Sequence, residues 1–245
     1  MEHGHRARDD RRGGGRRRRG AHRARRARHR PHRARARRRA ADPFRMSYPI
    51  AVLVSGRGTN LQAILDACAS GAIDASVVFV ASNRAGVPAL VRADRAGVPH
   101  GAFTTDEYKT RAATHGAMAD ALVAAGARLV VCAGFDHILA PVFFVKLAGV
   151  PVINIHPALL PFFGGKGMHG DKVHAAVLAA KAKESGVTVH RVHPDTVDLG
   201  EVVVQRRVPV NEGDDVATLS ARVLAVEHEA IVEAVRRCIA KEAVS

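Results

Sequence analysis

The sequence predicts a doubly wound α/β fold with a mostly parallel sheet, a mixed edge and helices on both faces. Three observations predict it. From Pro49 onward, short apolar runs alternate with longer segments whose apolar residues recur at helical spacing, as in βαβ units. Most of the longer segments end in Gly, which commonly terminates a helix. Late in the chain two β-rich runs follow one another, which predicts neighbouring strands at the sheet edge.

The first half of the chain supplies the alternating strands and helices. In order, they are strand 50–56, helix 61–71, strand 76–82, helix 87–97, helix 106–126, strand 128–134, helix 141–149 and strand 150–156. Thr59 or Asn60 can cap the first helix, because a side-chain oxygen there accepts a hydrogen bond from a free backbone N–H. In such a unit, ligands collect at the carboxyl ends of the strands.

The second half begins with a Gly-rich, partly basic loop and returns to strands before a final helix. Its segments are loop 161–170, helix 171–181, strand 185–193, turn 194–200, strand 201–210 and helix 216–242. The last helix carries a continuous apolar face, which is typical of a helix packed on a core.

The net charge of the chain comes from its N-terminal part. Residues 1–45 contain 19 Arg and four acidic residues, a net charge of +15, whereas residues 46–245 contain 19 basic and 19 acidic residues. The basic segment lacks apolar periodicity, so no burial would offset the backbone entropy of folding. We therefore expect residues 1–45 to form a disordered, arginine-rich extension and residues 46–245 to form the folded domain.

Three explanations compete for this extension. Clustered Arg can bind nucleic acid by neutralising phosphates. A transit peptide is also Arg-rich, although the segment lacks Ser and an apolar face. The third explanation, which we favour over the other two together, is an upstream reading-frame extension that is not part of the native protein, with the native start at Met46.

The cysteine spacing and the length of the apolar runs indicate the cellular compartment. Cys68, Cys132 and Cys238 are odd in number and far apart, which suggests neither a disulfide framework nor a CxxC metal site. The apolar stretches are shorter than the ~18 residues that a membrane helix needs. We expect a cytoplasmic protein without membrane association and without a metal.

The segment SGRGTN at 55–60 follows a strand and opens a helix. Gly56 and Gly58 let the backbone approach a ligand, and the free N–H groups of a helix start favour an anion. Thr59 and Asn60 add side-chain donors. The segment matches neither the dinucleotide G-x-G-x-x-G nor the P-loop lysine pattern, which disfavours nicotinamide and nucleoside triphosphates. The alternative interpretation is a plain tight turn.

The segment NIHPALLP at 154–161 ends a strand in a rigid, Pro-locked loop. Alternation along the strand puts Asn154 and His156 on the same side. An amide donor beside an imidazole can stabilise a tetrahedral oxyanion and move a proton at neutral pH. Asp198 lies in the turn at 194–200. If it reaches His156, its carboxylate would orient the imidazole and favour the charged form; otherwise it is an ordinary turn residue.

Taken together, these motifs resemble the phosphoribosylglycinamide formyltransferase family over residues 48–240. The residues that carry the resemblance are SGRGTNL at 55–61, AGF at 133–135, NIHPALLP at 154–161, SGVTVH at 185–190, the Asp198 turn and EH at 227–228. The resemblance implies a Rossmann-like formyltransferase fold for residues 46–245. It also implies transfer of the formyl group of 10-formyltetrahydrofolate to the amine of N1-(5-phosphoribosyl)glycinamide in purine synthesis, without a metal.

The resemblance also implies roles for individual residues. Catalysis would fall to Asn154, His156 and Asp198, with His190 in support. The substrate phosphate and ribose would contact Gly58, Thr59, Asn60 and Glu227, and the folate would contact Ile138, Leu139, Asn154, His193 and Val197. The implied partners are small-molecule substrates, and a monomer or homodimer is expected. Any nucleic-acid binding would depend on residues 1–45 and is suggested by their clustered Arg alone.

The chain departs from the family pattern at three places. Asp136 and His137 stand where the family commonly has Met-Arg, so Asp136 either recognises N–H donors of the pterin or faces solvent. Leu224 stands where relatives often carry a polar residue, so a substrate hydrogen bond is absent there. The loop at 162–170 is longer and more basic than usual, and its Lys166 either assists an anionic substrate or is a solvated loop lysine.

Four rival functions remain open from the sequence. Formyltetrahydrofolate deformylase would use the same catalytic residues but usually carries a preceding regulatory domain, which residues 1–45 cannot form. Methionyl-tRNA formyltransferase needs a further C-terminal domain, whereas this chain stops at Ser245. The others are a non-catalytic RNA-binding protein, which would depend on the arginine-rich segment, and a nicotinamide oxidoreductase, which would lack its glycine motif.

Overall fold

A computed structural model describes residues 47–242. The strands are β1 Tyr48–Val54, β2 Ala75–Ser82, β3 His100–Ala102, β4 Leu129–Cys132, β5 Val152–His156, β6 Glu184–Arg191 and β7 Val202–Pro209. The helices are α1 Thr59–Ala69, α2 Pro88–Arg95, α3 Thr105–Tyr108, α4 Arg111–Ala124, α5 Pro141–Leu147, α6 Asp171–Ala179 and α7 Val216–Glu242. The predictions made for residues 1–45 lie outside the described residues.

The seven strands form one sheet in the order β3-β2-β1-β4-β5-β6-β7. The first five are mutually parallel, whereas β6 runs antiparallel to both β5 and β7. The predicted mostly parallel sheet with a mixed edge is thus confirmed. Because β1 and β4 are central, the loops that follow them open at the middle of the sheet, where doubly wound folds bind ligands.

Helices cover both faces of the sheet, as predicted. Along β1, Ile50, Val52 and Val54 belong to one buried apolar cluster with residues of α1 and α7. The alternate residues Ala51 and Leu53 belong to a second cluster with residues of α4 and α5. All five side chains are fully buried, and burying a Val, Leu or Ile side chain contributes about 1.5–3 kcal/mol. These two layers hold the carboxyl ends of the strands rigid.

Two local predictions were wrong, and one strand was not predicted. The single helix expected at 106–126 is divided into α3 and α4, because Lys109 adopts a left-handed φ of 67° and Thr110 caps a new helix by accepting the Ala113 N–H. The short strand β3 was not predicted, since three residues carry no periodic pattern. Neither Thr59 nor Asn60 caps α1: the N-cap is Gly58, and both predicted residues lie inside the helix.

Candidate active site

A cleft of about 420 Å³ lies at the carboxyl ends of the central strands. The segments after β1, β4 and β5, the turn after β6 and one face of α7 line it. Every residue assigned to the site from the sequence lies along its wall: Gly58, Thr59, Asn60, Ile138, Leu139, Asn154, His156, His190, His193, Val197, Asp198 and Glu227. Residues that are far apart in the sequence therefore share one cavity.

The loop between β1 and α1 is held from behind by α2. Gly58 has a φ of 71°, and a Cβ placed there would lie 2.6 Å from the Cβ of Ala89, so a larger residue fits neither the backbone nor the space. Arg92 donates through Nε to the carbonyl of Arg57 at 2.9 Å. Because the peptide is planar and trans, the N–H of Gly58 points away from Arg92. The loop therefore presents backbone donors and the start of α1, an arrangement suited to an anion.

Asn60 and Glu227 connect this loop to α7. The side-chain amide of Asn60 donates to Oε2 of Glu227 at 2.7 Å, while its Oδ1 is buried without a hydrogen-bond partner among residues 47–242. Burial raises the pKa of Glu227, although the Asn60 hydrogen bond and the charge of Arg57 oppose that rise. One of the two amide hydrogens of Asn60 is thus committed to Glu227 rather than to a ligand.

Asp198 lies between two imidazoles at the end of β5 and β6. Nδ1 of His156 is 3.8 Å from Oδ2 of Asp198, and Nε2 of His190 is 3.4 Å from Oδ1. Asn154 pairs with His190 across the two strands, and its Nδ2 lies 3.3 Å from the His190 Nε2. The predicted approach of Asp198 to His156 is confirmed, and a second imidazole shares the carboxylate.

The carboxylate of Asp198 is fixed by backbone geometry. The residue has a left-handed φ of 56°, and its Oδ2 accepts the Gly165 N–H at 2.9 Å. Burial opposes ionisation, but the hydrogen bonds from His190 and Gly165 and the neighbouring His156 outweigh it and lower the pKa of Asp198. Asp198 is therefore an anion at neutral pH.

His156 makes a contact that sequence reasoning missed. Its Nε2 donates to the carbonyl of Phe163 at 2.8 Å, so Nδ1 is the ring nitrogen that faces Asp198. Burial lowers the pKa of His156, and the Asp198 charge and the Phe163 carbonyl only partly restore it. Asp198 favours the charged form of His156, as expected, but the cost of burial is larger. The imidazole is neutral, and the carboxylate makes it easier to protonate than burial alone would allow.

Apolar side chains form part of the wall of the cleft. Ile138, Leu139 and Val197 line it; Ile138 is exposed, Leu139 is buried, and Val197 is partly buried in the turn before Asp198. His193 forms an isolated bridge with Thr196, which closes that turn. A flat, partly aromatic ligand with hydrogen-bonding edges would suit such a wall, since binding sites combine apolar surface with a few polar groups.

Asp136, one of the residues that depart from the family pattern, is held by a cluster of polar contacts. The Asp136 side chain is 21% exposed, so it does not simply face solvent; it accepts from Asn83 Nδ2 at 2.9 Å and pairs with Arg84. Its backbone N–H donates to Ser55 Oγ at 3.0 Å, which ties the segment after β4 to the segment after β1. No sequence pattern indicated this cluster.

Other departures also have positions in the structure. Leu224 lines the cleft together with Ser220, which lies one turn earlier on α7. Ser220 was not predicted as a site residue. Lys166 is exposed and does not line the cleft, in agreement with a solvated loop lysine.

Three further features concern the described part of the chain. No group of three or more His, Cys, Asp or Glu side chains among residues 47–242 is arranged to hold a metal ion. No helix within that range has the length and apolar character needed to cross a membrane. Cys68, Cys132 and Cys238 are free thiols.

Comparisons with known proteins agree on one family. A family model described as formyl transferase matches residues 48–235. Phosphoribosylglycinamide formyltransferase from Haemophilus influenzae is 38% identical over 180 residues, which cover 74% of this chain and 82% of that protein. The trifunctional purine biosynthetic protein adenosine-3 of Bos taurus is 42% identical over 180 residues, but the matched part spans only 17% of that longer protein. Glycinamide ribonucleotide transformylase 1 from Symbiobacterium toebii aligns with a TM-score of 0.72 at 40% identity, covering 78% of this chain and 86% of that one.

Proposed function

The chain belongs to the formyl transferase family, within its phosphoribosylglycinamide formyltransferase branch, and on this premise we propose its reaction. It transfers the formyl group of 10-formyltetrahydrofolate to the amine of N1-(5-phosphoribosyl)glycinamide in purine biosynthesis. We place the enzyme in the cytoplasm, with residues 46–245 as the catalytic domain.

One observation carries the proposal: an anion-binding loop and an Asn–His–Asp group line the same cleft. The backbone donors around Gly58, with Thr59 and Asn60, suit the phosphate of the ribonucleotide. Glu227, fixed by Asn60, is placed to accept from the ribose hydroxyls. A cleft that only hydrolysed the folate would have no use for a phosphate site, and this favours transfer over hydrolysis.

The folate side of the cleft supports the same assignment. Ile138, Leu139 and Val197 supply apolar surface, and the turn containing His193 supplies polar backbone near it. In the proposed complex, the pterin contacts this wall, and Asn154 contacts the formyl oxygen.

Catalysis in the proposed reaction rests on the three polar side chains. The acceptor amine forms a C–N bond to the formyl carbon, the bond from that carbon to N10 breaks, and N10 takes up a proton. Asn154 donates to the developing oxyanion through Nδ2. His156, which takes up a proton from solvent at Nδ1 as the oxyanion develops, adds a second donor. One such donor is typically worth about 10²- to 10³-fold in rate.

Asp198 serves two steps in this scheme. Its charge, 3.8 Å from Nδ1, stabilises His156 when the imidazole becomes protonated. It also assists removal of the proton from the attacking amine, directly or through water. His190 fixes Asp198 from the neighbouring strand, because its Nε2 donates to Oδ1 of Asp198 at 3.4 Å. It also lies against Asn154, whose Nδ2 is 3.3 Å from the same nitrogen.

The test is a formyl-transfer assay that follows the absorbance change of the folate. We expect turnover only when both substrates are present, and loss of turnover in Asn154→Ala, His156→Ala and Asp198→Ala. Full activity in His156→Ala would remove its assigned role. Folate turnover with release of formate in the absence of the ribonucleotide would instead identify a deformylase.

A further inference from the structure

The segment at 135–140 leaves β4, lines the cleft and ends at the start of α5. It carries Ile138 and Leu139, the two apolar residues that we assign to the folate wall. At its beginning, Asp136 is hydrogen-bonded to Ser55 and Asn83, which anchors this end to the segments after β1 and β2. The other end must also be anchored if the wall is to keep its shape.

A buried histidine of α4 provides the second anchor. The side chain of His115 is fully buried and does not line the cleft. Its Nδ1 accepts the backbone N–H of Ala140 at 2.9 Å. Ala140 is the N-cap of α5, so this N–H has no partner within the helix. An acceptor at this position is therefore required, because a buried and unpaired N–H is costly.

The rings around His115 extend the contact along the segment. The centroid of its imidazole lies 6.1 Å from that of Phe135 and 5.7 Å from that of His137, while Phe135 and His137 are 5.9 Å apart. His115 thus supports the segment at its first, third and last residues. Burial, followed by the charges of His137 and Arg111, lowers the pKa of His115 to about 4, so Nδ1 remains an acceptor at physiological pH.

We propose that His115 is a positioning residue for folate binding: it fixes the segment at 135–140 from below and thereby sets the wall formed by Ile138 and Leu139. The inference rests on the proposed function, since it assigns this wall to the folate. It predicts a larger effect on the folate than on the ribonucleotide, because His115 contacts Ala140 and the rings of Phe135 and His137, whereas the phosphate loop meets this segment through the hydrogen bond between Ser55 and Asp136.

The experiment compares His115→Phe with His115→Asn. Phe keeps a ring of similar size but offers no acceptor, whereas the Oδ1 of Asn can take the place of Nδ1. His100→Phe, at an exposed histidine outside the cleft, is the matched control. For each protein we would measure kcat, both KM values and the Kd of tetrahydrofolate by calorimetry.

For His115→Phe we expect the folate KM and the tetrahydrofolate Kd to rise about tenfold, as an unpaired buried N–H implies. The ribonucleotide KM should stay within about twofold of wild type, and His115→Asn should recover most of the affinity. Equal increases in both KM values, or unchanged folate affinity, would overturn the inference.

Two further readouts keep the test decisive. If His115→Phe does not fold, His115→Asn provides the test. In its ¹H–¹⁵N spectra the Ala140 amide signal should keep the chemical shift of a hydrogen-bonded N–H. Loss of that shift together with unchanged folate affinity would overturn the inference. If wild-type protein binds no tetrahydrofolate at all, the proposed function fails. If wild type binds it and His115→Phe binds it equally well, only the role of His115 fails.

Discussion

Replacing Asp198 by Asn removes one negative charge from between two imidazoles, keeps the size of the side chain and turns the group that faces Nε2 of His190 into an amide. The Asn side-chain oxygen can still accept the Gly165 N–H, which lies 2.9 Å from the Asp198 carboxylate. Asn is also among the few residues other than Gly that tolerate the left-handed backbone of this position, whose φ is 56°. An Ala would add backbone strain to the loss of charge, so Asn isolates the electrostatic effect.

The size of the expected fall in kcat follows from the distance between the charges and from the burial of Asp198. The lost charge lies 3.8 Å from Nδ1 of His156, and the Asp198 side chain is only 11% exposed, so solvent screens it weakly. Two unit charges about 4 Å apart at an effective dielectric constant of about 20 interact by about 4 kcal/mol, which limits the effect to about 10³-fold. We expect kcat to fall about 10²- to 10³-fold, since Asp198 faces a charged His156 only on the way to the transition state.

The assay is steady-state kinetics with both substrates varied. Each KM should change less than about threefold, because the charge acts on the transition state rather than on ground-state binding. Asp195→Asn, in the same turn but exposed and outside the cleft, is the control and should match wild type. A kcat for Asp198→Asn within about tenfold of wild type would refute this electrostatic account.

Four further predictions follow. Gly58→Ala should raise the ribonucleotide KM at least about tenfold and lower the melting temperature, whereas Gly71→Ala, with the same φ sign but open space around it, should lower only the melting temperature. Arg92→Met should raise the ribonucleotide KM and leave the folate KM unchanged, because Arg92 holds the carbonyl of Arg57. The hydrogen bond with Arg222 lowers the pKa of Asp214 to about 2, so the contribution of this ion pair to folding stability is complete above the usual pKa of 3.8 and is lost as the pH falls towards 2. The melting temperatures of wild type and Asp214→Asn should therefore converge as the pH falls over that interval. Removing residues 1–45 should leave kcat within about twofold of the full chain, since the proposed site lies in residues 46–245.

Much of the fold could be predicted because its determinants are local. The apolar run of β5 and the Pro-locked loop after it are visible in a few residues, and strand alternation alone put Asn154 and His156 on one side. The break at Lys109 was not visible, because a left-handed residue that is not Gly leaves no signature in the sequence. Likewise, β3 exists only because β2 offers it an edge.

Within the site, too, some contacts could be predicted from the sequence and others could not. The approach of Asp198 to His156 depends on β6 pairing antiparallel with β5, and family resemblance rather than periodicity indicated it. Two contacts were beyond any sequence pattern: Phe163 to His156, and Ala140 to His115. They join a backbone group to a side chain 7 and 25 residues away, respectively, and such pairs are set by packing and not by spacing. The net pKa shift of His156 was missed for a related reason, since the cost of burial outweighs the charge of Asp198.

The most direct test of the central claim follows the formyl carbon itself. With 10-formyltetrahydrofolate labelled with ¹³C in the formyl group, mass spectrometry reports where the carbon goes. We predict that it appears on the amine of N1-(5-phosphoribosyl)glycinamide in an amount equal to the tetrahydrofolate formed, and that His156→Ala abolishes this transfer. Label recovered as free formate, at a rate independent of the ribonucleotide, would contradict the account.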